Sequence, residues 1–171
     1  MRKLVGAGAI LMAGFLAALL HLRVKTEKLR TQRALCHCLL ELRSELLERR
    51  RGLGEIFALL KEKSDTEALR SFCAVLCAGM DKLGDLAFSE IWNAAADGLA
   101  DAAGEESADA LRPLAVVLGG SELDRQCAAL ETAARRIEEA RLAQRERLKE
   151  EGRLTFGLSL SAGALLVIML M

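Results

Sequence analysis

Three groups of side chains in this 171-residue chain have the types and spacing to do chemistry. The first is Cys36-His37-Cys38, which invites a metal. On a helix, however, positions two apart point about 200° apart, so the two thiols do not share one ion. No second cysteine pair with ribbon spacing completes a zinc site. The second group is Cys73 and Cys77, four apart and therefore on one helical face. Small apolar thiols suit a core position, and nothing nearby supports a redox role. The third is the acidic series Glu41, Glu45 and Glu48, at steps of four and three, with Glu55 after a turn. It has two readings: a solvated helix face, or an acidic docking surface for a neighbouring subunit. The run Arg49-Arg50-Arg51 is its basic counterpart, or a solvated helix end whose charge suits the dipole.

Catalysis has little to draw on. The histidines are His21, at the edge of an apolar run, and His37, inside a helical pattern. No serine sits in a nucleophile elbow. Gly119-Gly120 lacks the lysine and the preceding strand of a phosphate loop. A serine or cysteine hydrolase needs a positioned base. No catalytic, cofactor-binding or metal-binding residue is expected, and no cofactor.

The elements that position these residues are helices. The chain is rich in Ala, Leu, Glu and Arg, has no Tyr and a single Pro, and lacks alternating apolar runs. With a net charge of zero, nothing marks the whole chain as a nucleic-acid binder. Five cysteines, an odd number lying within helical patterns, read as reduced thiols rather than a secreted disulfide framework. The fold class is all-α. Leu35, Cys38, Leu39, Leu42 and Leu46 form the stripe of a helix over residues 23–50, ended by Gly52 and Gly54. A short helix carries Ile56, Phe57, Leu59 and Leu60. Ser64 with Glu67 reads as a capping box opening a third helix with Leu69, Phe72, Cys73 and Leu76 inside. A fourth runs over residues 85–97, with Leu86, Phe88, Ile91 and Trp92, the last a core residue. Ser107 caps a fifth, in which Pro113 forces a kink or a restart before Gly119-Gly120.

The last helix begins at the N-cap Ser121 and presents Leu123, Cys127, Leu130, Ala134 and Ile137 on one face. Its other faces carry pairs such as Glu131–Arg135 and Glu138–Arg141. From residue 154 to 171 there is no ionisable side chain, and these eighteen residues reach the length of a short membrane span. At the other end, Arg2 and Lys3 precede an apolar run over residues 4–22. A secretory signal shares that outline. The run is long for a signal core, has no convincing small-x-small cleavage site, and continues directly into a helix, so an uncleaved anchor is expected. Three segments follow: an amino-terminal transmembrane anchor at 1–22, a helical bundle at 23–153 and a carboxy-terminal transmembrane helix at 154–171. Arg23, Lys25, Lys28, Arg30 and Arg33 follow the first span, and Arg141, Arg145, Arg147, Lys149 and Arg153 precede the second, which places the bundle in the cytoplasm. The terminal helix is either a rigid rod or hinged at Gly152 and Gly157, which sit at the water–membrane boundary.

Several stretches resemble a known family. They are Leu39-Leu40-Glu41-Leu42-Arg43-Ser44-Glu45-Leu46, then Gly52-Leu53-Gly54-Glu55, Trp92, Leu118-Gly119-Gly120-Ser121-Glu122 with Gln126, and the closing Gly157-Leu158 and Leu166-Val167-Ile168-Met169-Leu170-Met171. Over nearly its full length the chain resembles the stage III sporulation protein AB family of endospore-forming bacteria. It departs in having Gly52 where the family often has proline, and Glu122 where it often has aspartate. The resemblance implies likeness to the cytoplasmic domains of type II secretion and type IV pilus platform proteins. It also implies a place in the channel complex between mother cell and forespore, in the mother cell's membrane. The implied partners are the complex's cytoplasmic secretion-type ATPase, its ring-forming membrane subunits and membrane lipid, with no nucleic acid and no small-molecule substrate. Glu45 and Glu55 fall on acidic positions of the family pattern, so Glu41, Glu45 and Glu55 are the candidate partner contacts. The expected role is a non-enzymatic scaffold or adaptor. A ligand-sensing helical bundle is the alternative, and it requires an apolar pocket with convergent polar groups.

Overall fold

A computed structural model describes the backbone of residues 2–120 and 122–170, and the side chains of residues 20, 23–120 and 122–150. Helices α1 (Arg2–Ser44), α2 (Leu53–Lys63), α3 (Glu67–Met80), α4 (Phe88–Ala103), α5 (Glu105–Leu111), α6 (Leu114–Leu118) and α7 (Leu123–Leu170) follow one another, with no strand among the described residues. The two longest, α1 and α7, pack against each other over their charged halves. Cys36 meets Ala134 and Arg43 meets Glu131, so the two helices run antiparallel. α2, α3 and α4 fold back and forth beside α1, and α5 and α6 bring the chain round to α7.

The core assembles where the apolar periodicity places it. Leu35, Cys38, Leu39, Leu42 and Leu46 are all buried on α1, as are Ile56, Phe57 and Leu60 on α2 and Leu69, Phe72, Cys73 and Leu76 on α3. Trp92 is its centre. Phe57, Phe72 and Phe88 surround the indole at centroid distances of 6.2, 5.7 and 6.0 Å, Phe72 edge-on at 81°. The indole N–H donates to the Leu111 carbonyl at 2.8 Å, so the buried polar edge is satisfied. α3 and α4 meet at Gly79, where a Cβ would lie 2.1 Å from Ile91 Cγ2.

Helix ends differ from expectation in instructive ways. α1 closes with a π-helical turn over Glu45–Arg49, and the reversal is made by Arg50 in the left-handed region at φ 48°. Gly52 instead opens α2, its carbonyl accepting from Ile56 N–H at 3.1 Å, and Gly54 lies inside that helix against Met80. The α3 cap is Thr66, which accepts from Leu69 N–H at 3.3 Å. Ser64 turns the other way and donates to the Leu60 carbonyl at 2.6 Å, closing α2. Two hydroxyls within three residues compete for one role, and the one adjacent to the helix takes it. α4 starts at Phe88 rather than 85, leaving Leu86 exposed, and passes straight through Gly98. It ends at Gly104, whose φ of 96° suits glycine. Gly104, not Ser107, precedes α5; the Ser107 hydroxyl donates back to the Ala103 carbonyl at 3.0 Å. Pro113 begins a restart, α6.

α7 continues as one helix of 48 residues across Gly152 and Gly157. The expected cap Ser121 and, apart from Leu20, the side chains of both apolar end segments, at 1–22 and 154–171, lie outside the described residues. Among the described residues no helix is long and apolar enough to cross a membrane.

Candidate functional site

The acidic series is divided by the fold. Glu41, half-buried on α1, pairs with Lys63 at the end of α2 and ties the two helices together. Glu45 is only 5 % exposed. Its Oε1 lies 3.1 Å from an Arg49 Nη and its Oε2 3.4 Å from an Arg51 Nη. The expectation of one solvated stripe is therefore corrected at Glu45: the π turn carries it inward, and the arginines on either side of the reversal close over it. Glu48 and Glu55 remain exposed, Glu55 in the first turn of α2, where a carboxylate suits the helix dipole. Arg50 points outward between the two pairing arginines. Structure thus joins Glu45 to Arg49 and Arg51, but does not gather Glu41, Glu45 and Glu55 on one accessible surface.

The cysteines face inward. Cys36 Sγ donates to the Ala134 carbonyl across α1 and α7 at 3.4 Å. Burial pushes its thiol up to about 11, and Glu138 adds to the shift while Arg141 opposes it. Cys38 points the other way, toward Cys73 on α3. Its hydrogen bond to Cys73, together with burial, holds the Cys38 thiol well above the ordinary range. Among the described residues no three His, Cys, Asp or Glu side chains are placed to hold a metal ion.

Clefts open on the surface among the described residues. One of about 460 Å³ lies between α1 and the α2–α3 turn and is lined by Arg30, Arg33, His37, Cys38, Lys63 and Asp65, among others. It collects a thiol, an imidazole and a carboxylate, but a thiol that is turned into the core and held protonated is the reverse of an activated nucleophile. A groove of about 500 Å³ follows the α1–α7 seam past Cys36, Leu40, Glu131, Glu138 and Arg141. Arg141 lies 2.7 Å from Glu138 through Nε and also engages it through a second nitrogen, and this bond holds the Glu138 carboxyl below its usual range. A third cavity, about 330 Å³, sits where α1, α7 and the α4–α5 corner meet. Gln32 lines it, 2 % exposed. That residue was not singled out from the sequence. Its position three before Leu35 and seven before Leu39, on the buried stripe, was the available signal.

A comparison with known families decides the lineage: the family described as Stage III sporulation protein AB matches residues 3–171. The chain belongs to that family. The match spans both apolar ends and the whole bundle between them, and it assigns the protein a role in stage III of sporulation. The family is a sporulation family and not a known enzyme family. No curated relative and no solved structure matches the chain. The helical bundle described above is therefore this family member's own architecture, with Trp92 at its centre and the Gly119-Gly120 turn leading into α7.

Proposed function

We propose that this protein is a scaffold or adaptor of the mother cell–forespore channel complex, anchored at both ends in the mother cell's membrane with its bundle in the cytoplasm. In this role it links a cytoplasmic secretion-type ATPase to membrane subunits. The observation that carries the reading is the antiparallel α1–α7 pair. Each helix runs from the bundle into one of the two apolar segments, so both candidate anchors leave from the same end. The opposite end, with the π turn, the α3–α4 loop and the α6–α7 turn, is held away from the bilayer. A continuous α7 would be about 72 Å long, enough to carry a displacement from one end to the other.

The exposed Glu48 and Glu55 beside Arg50 form the polar surface at that outer end, and Glu41 lies farther along α1, occupied by Lys63. On this reading Glu55 is the direct contact and Glu45 supports the turn that presents it. The test is co-purification of the full chain with the ATPase of its own sporulation operon, from detergent extracts. Glu55→Lys is expected to reduce capture while leaving the thermal transition in place. Retained capture by Glu55→Lys, alongside capture by wild type, would remove that glutamate from the interface. Absence of capture by wild type would reject the ATPase link itself.

A further inference from the structure

Two columns of side chains on this molecule match each other but cannot meet within one chain. The first runs along the outer edge of α1. Arg33, Leu40 and Leu47 recur at seven-residue steps and so share that edge. Leu40 and Leu47 are 45 % and 43 % exposed, and Leu40 lines the groove of the α1–α7 seam beside Ala134. Two of the groove's carboxylates are already engaged, Glu131 by Arg43 and Arg135 and Glu138 by Arg141. The end of this column nearer residue 22 is cationic, with Arg33 and Arg30; the latter makes only a loose 3.9 Å contact with Glu27, both side chains being exposed.

The second column runs along the exposed side of α4–α6. Residues 88–118 carry six carboxylates and one cation, Arg112. Asp97, Glu105 and Asp109 surround that arginine. Asp101, one turn along from Asp97, and Glu106 are exposed and in no ion pair among the described residues. At the other end of the column stands Val116, four residues after Arg112. It is 74 % exposed, the most exposed large apolar side chain among the described residues.

The columns also agree in height. The Gln32–Ala103 hydrogen bond puts those two residues at one level. From there α1 rises to Leu47, and α4, antiparallel to it, rises to Phe88, fifteen residues and about 22 Å in each case. Gly119 lies beside Phe88, its Cβ position 3.3 Å from Phe88 Cδ1. Val116, one turn below Gly119, therefore stands between the levels of Leu40 and Leu47. Asp101 and Glu106 flank Ala103 in sequence and stand near the level of Arg30 and Arg33. Each column is apolar above and charged below, and the two charges are opposite.

We infer that the columns are the two halves of an interface between copies of this chain. The Val116 ridge of one copy seats against Leu40 and Leu47 of its neighbour, and Asp101 and Glu106 face the neighbour's Arg30 and Arg33. Covering the three apolar side chains favours the contact, and the charges set its register. A partner of uniform positive charge would answer the carboxylates and leave Val116 against water. The contact is heterologous, because α4–α6 pack on the inner side of the α1–α7 pair while the groove opens on its outer side. Each copy thus docks two neighbours, and the array closes into a ring or runs on as an open row according to the rotation per copy. The inference rests on the reading above that both ends are anchored in one bilayer, where neighbours stand upright and meet at equal heights. A contact this small depends on that confinement, and docked and free copies exchange.

The test is cross-linking between copies of the full chain in proteoliposomes, with a short bismaleimide and a denaturing gel. Leu40→Cys with Val116→Cys in one chain is expected to give a ladder of dimers, trimers and longer products, and either substitution alone only the wild-type background. Dimers from a single variant would show a two-fold contact and overturn the heterologous one, as would the absence of a ladder from the double variant. In that double-cysteine chain, Asp101→Lys with Glu106→Lys should cut the ladder roughly tenfold, and so should Arg30→Glu with Arg33→Glu. Circular dichroism checks that each variant folds. Mixed in equal amounts, these two charge variants should recover the ladder, because each supplies the column that the other needs. A ladder unmoved by either charge variant, or not recovered on mixing, overturns the pairing. Exchange keeps a Val116→Cys thiol reactive toward maleimide, and its labelling should slow as copies are crowded in the bilayer. Carbonate extraction separates the interface from the anchors. A chain released by carbonate that still forms the ladder sinks the anchors and not the interface, and a resistant chain without a ladder does the reverse.

Discussion

Trp92 does two things that a phenylalanine cannot do together. It fills the space among three phenylalanines and it satisfies the Leu111 carbonyl next to the α5–α6 break. Trp92→Phe is expected to destabilise the bundle by about 2–4 kcal/mol, from lost volume plus one unpaired buried carbonyl, measured by urea unfolding. Cys36 gives a signature in pH. Its folded thiol is raised from 9.0 to about 11, so the native state holds the proton longer than the unfolded chain does. The stability this represents is fully present below pH 9 and is lost as pH climbs toward 11. Between about pH 8 and about pH 10.5, the wild-type unfolding midpoint should fall more than that of Cys36→Ala. Equal slopes would show that the Cys36–Ala134 contact does not govern this titration. Residues such as Leu39 and Phe72 were legible in the sequence because an apolar side chain at helical spacing has one sensible direction. Glu45 was not legible: a carboxylate on the edge of a stripe reads as surface, and its burial depends on Arg51, which is brought back only by the reversal at Arg50. Gln32 was illegible for the same reason, since its partner Ala103 lies 71 positions away.

Among the elements, the α3–α4 hairpin depends on the absence of a side chain at one point. Gly79→Ala would press a methyl group into Ile91, whose branched carbons lie 2.1–3.2 Å from that Cβ. The cost is expected at about 1–3 kcal/mol, and it should be smaller in an Ile91→Ala background, which lacks both γ carbons, as a double-mutant cycle would show. Helix existence was readable from periodicity throughout, whereas several helix boundaries were not. Where two capping residues stand close together, as at Ser64 and Thr66 or at Gly104 and Ser107, local preference cannot choose between them. The choice falls to which backbone groups each can reach once neighbouring helices have packed. Glu90 shows the same point: its carboxylate accepts from Ala87 N–H at 3.2 Å, half of a capping box with no side-chain partner to announce it.

For the molecule as a whole, the placement of the bundle is the central claim to test. Val116 on α6 is 74 % exposed and lies at the end opposite the proposed membrane. In the proposed orientation a Val116→Cys variant should react with a membrane-impermeant maleimide only after cells are permeabilised. Labelling of intact cells would invert the topology. The wild-type cysteines provide a low background, because Cys36, Cys38, Cys73 and Cys127 are buried and burial raises Cys77. The division into a charged middle and apolar ends was plain in the sequence, as was the all-helical class. The antiparallel closure of α1 on α7 was not, since no local pattern records which distant helix covers a given stripe.

That closure also sets an order of events during synthesis. The Cys36–Ala134 contact joins residues 98 positions apart, so the seam it belongs to cannot form until most of the chain exists. At bacterial or slower elongation rates of about 5–20 residues per second, α1 leaves the ribosome roughly 5–20 seconds ahead of its partner. During that interval Leu35, Leu39 and Leu42 face solvent on one side, or whatever covers them in the meantime. The nascent protein is thus open to mispairing along the α1 stripe for those seconds, until α7 arrives to cover it.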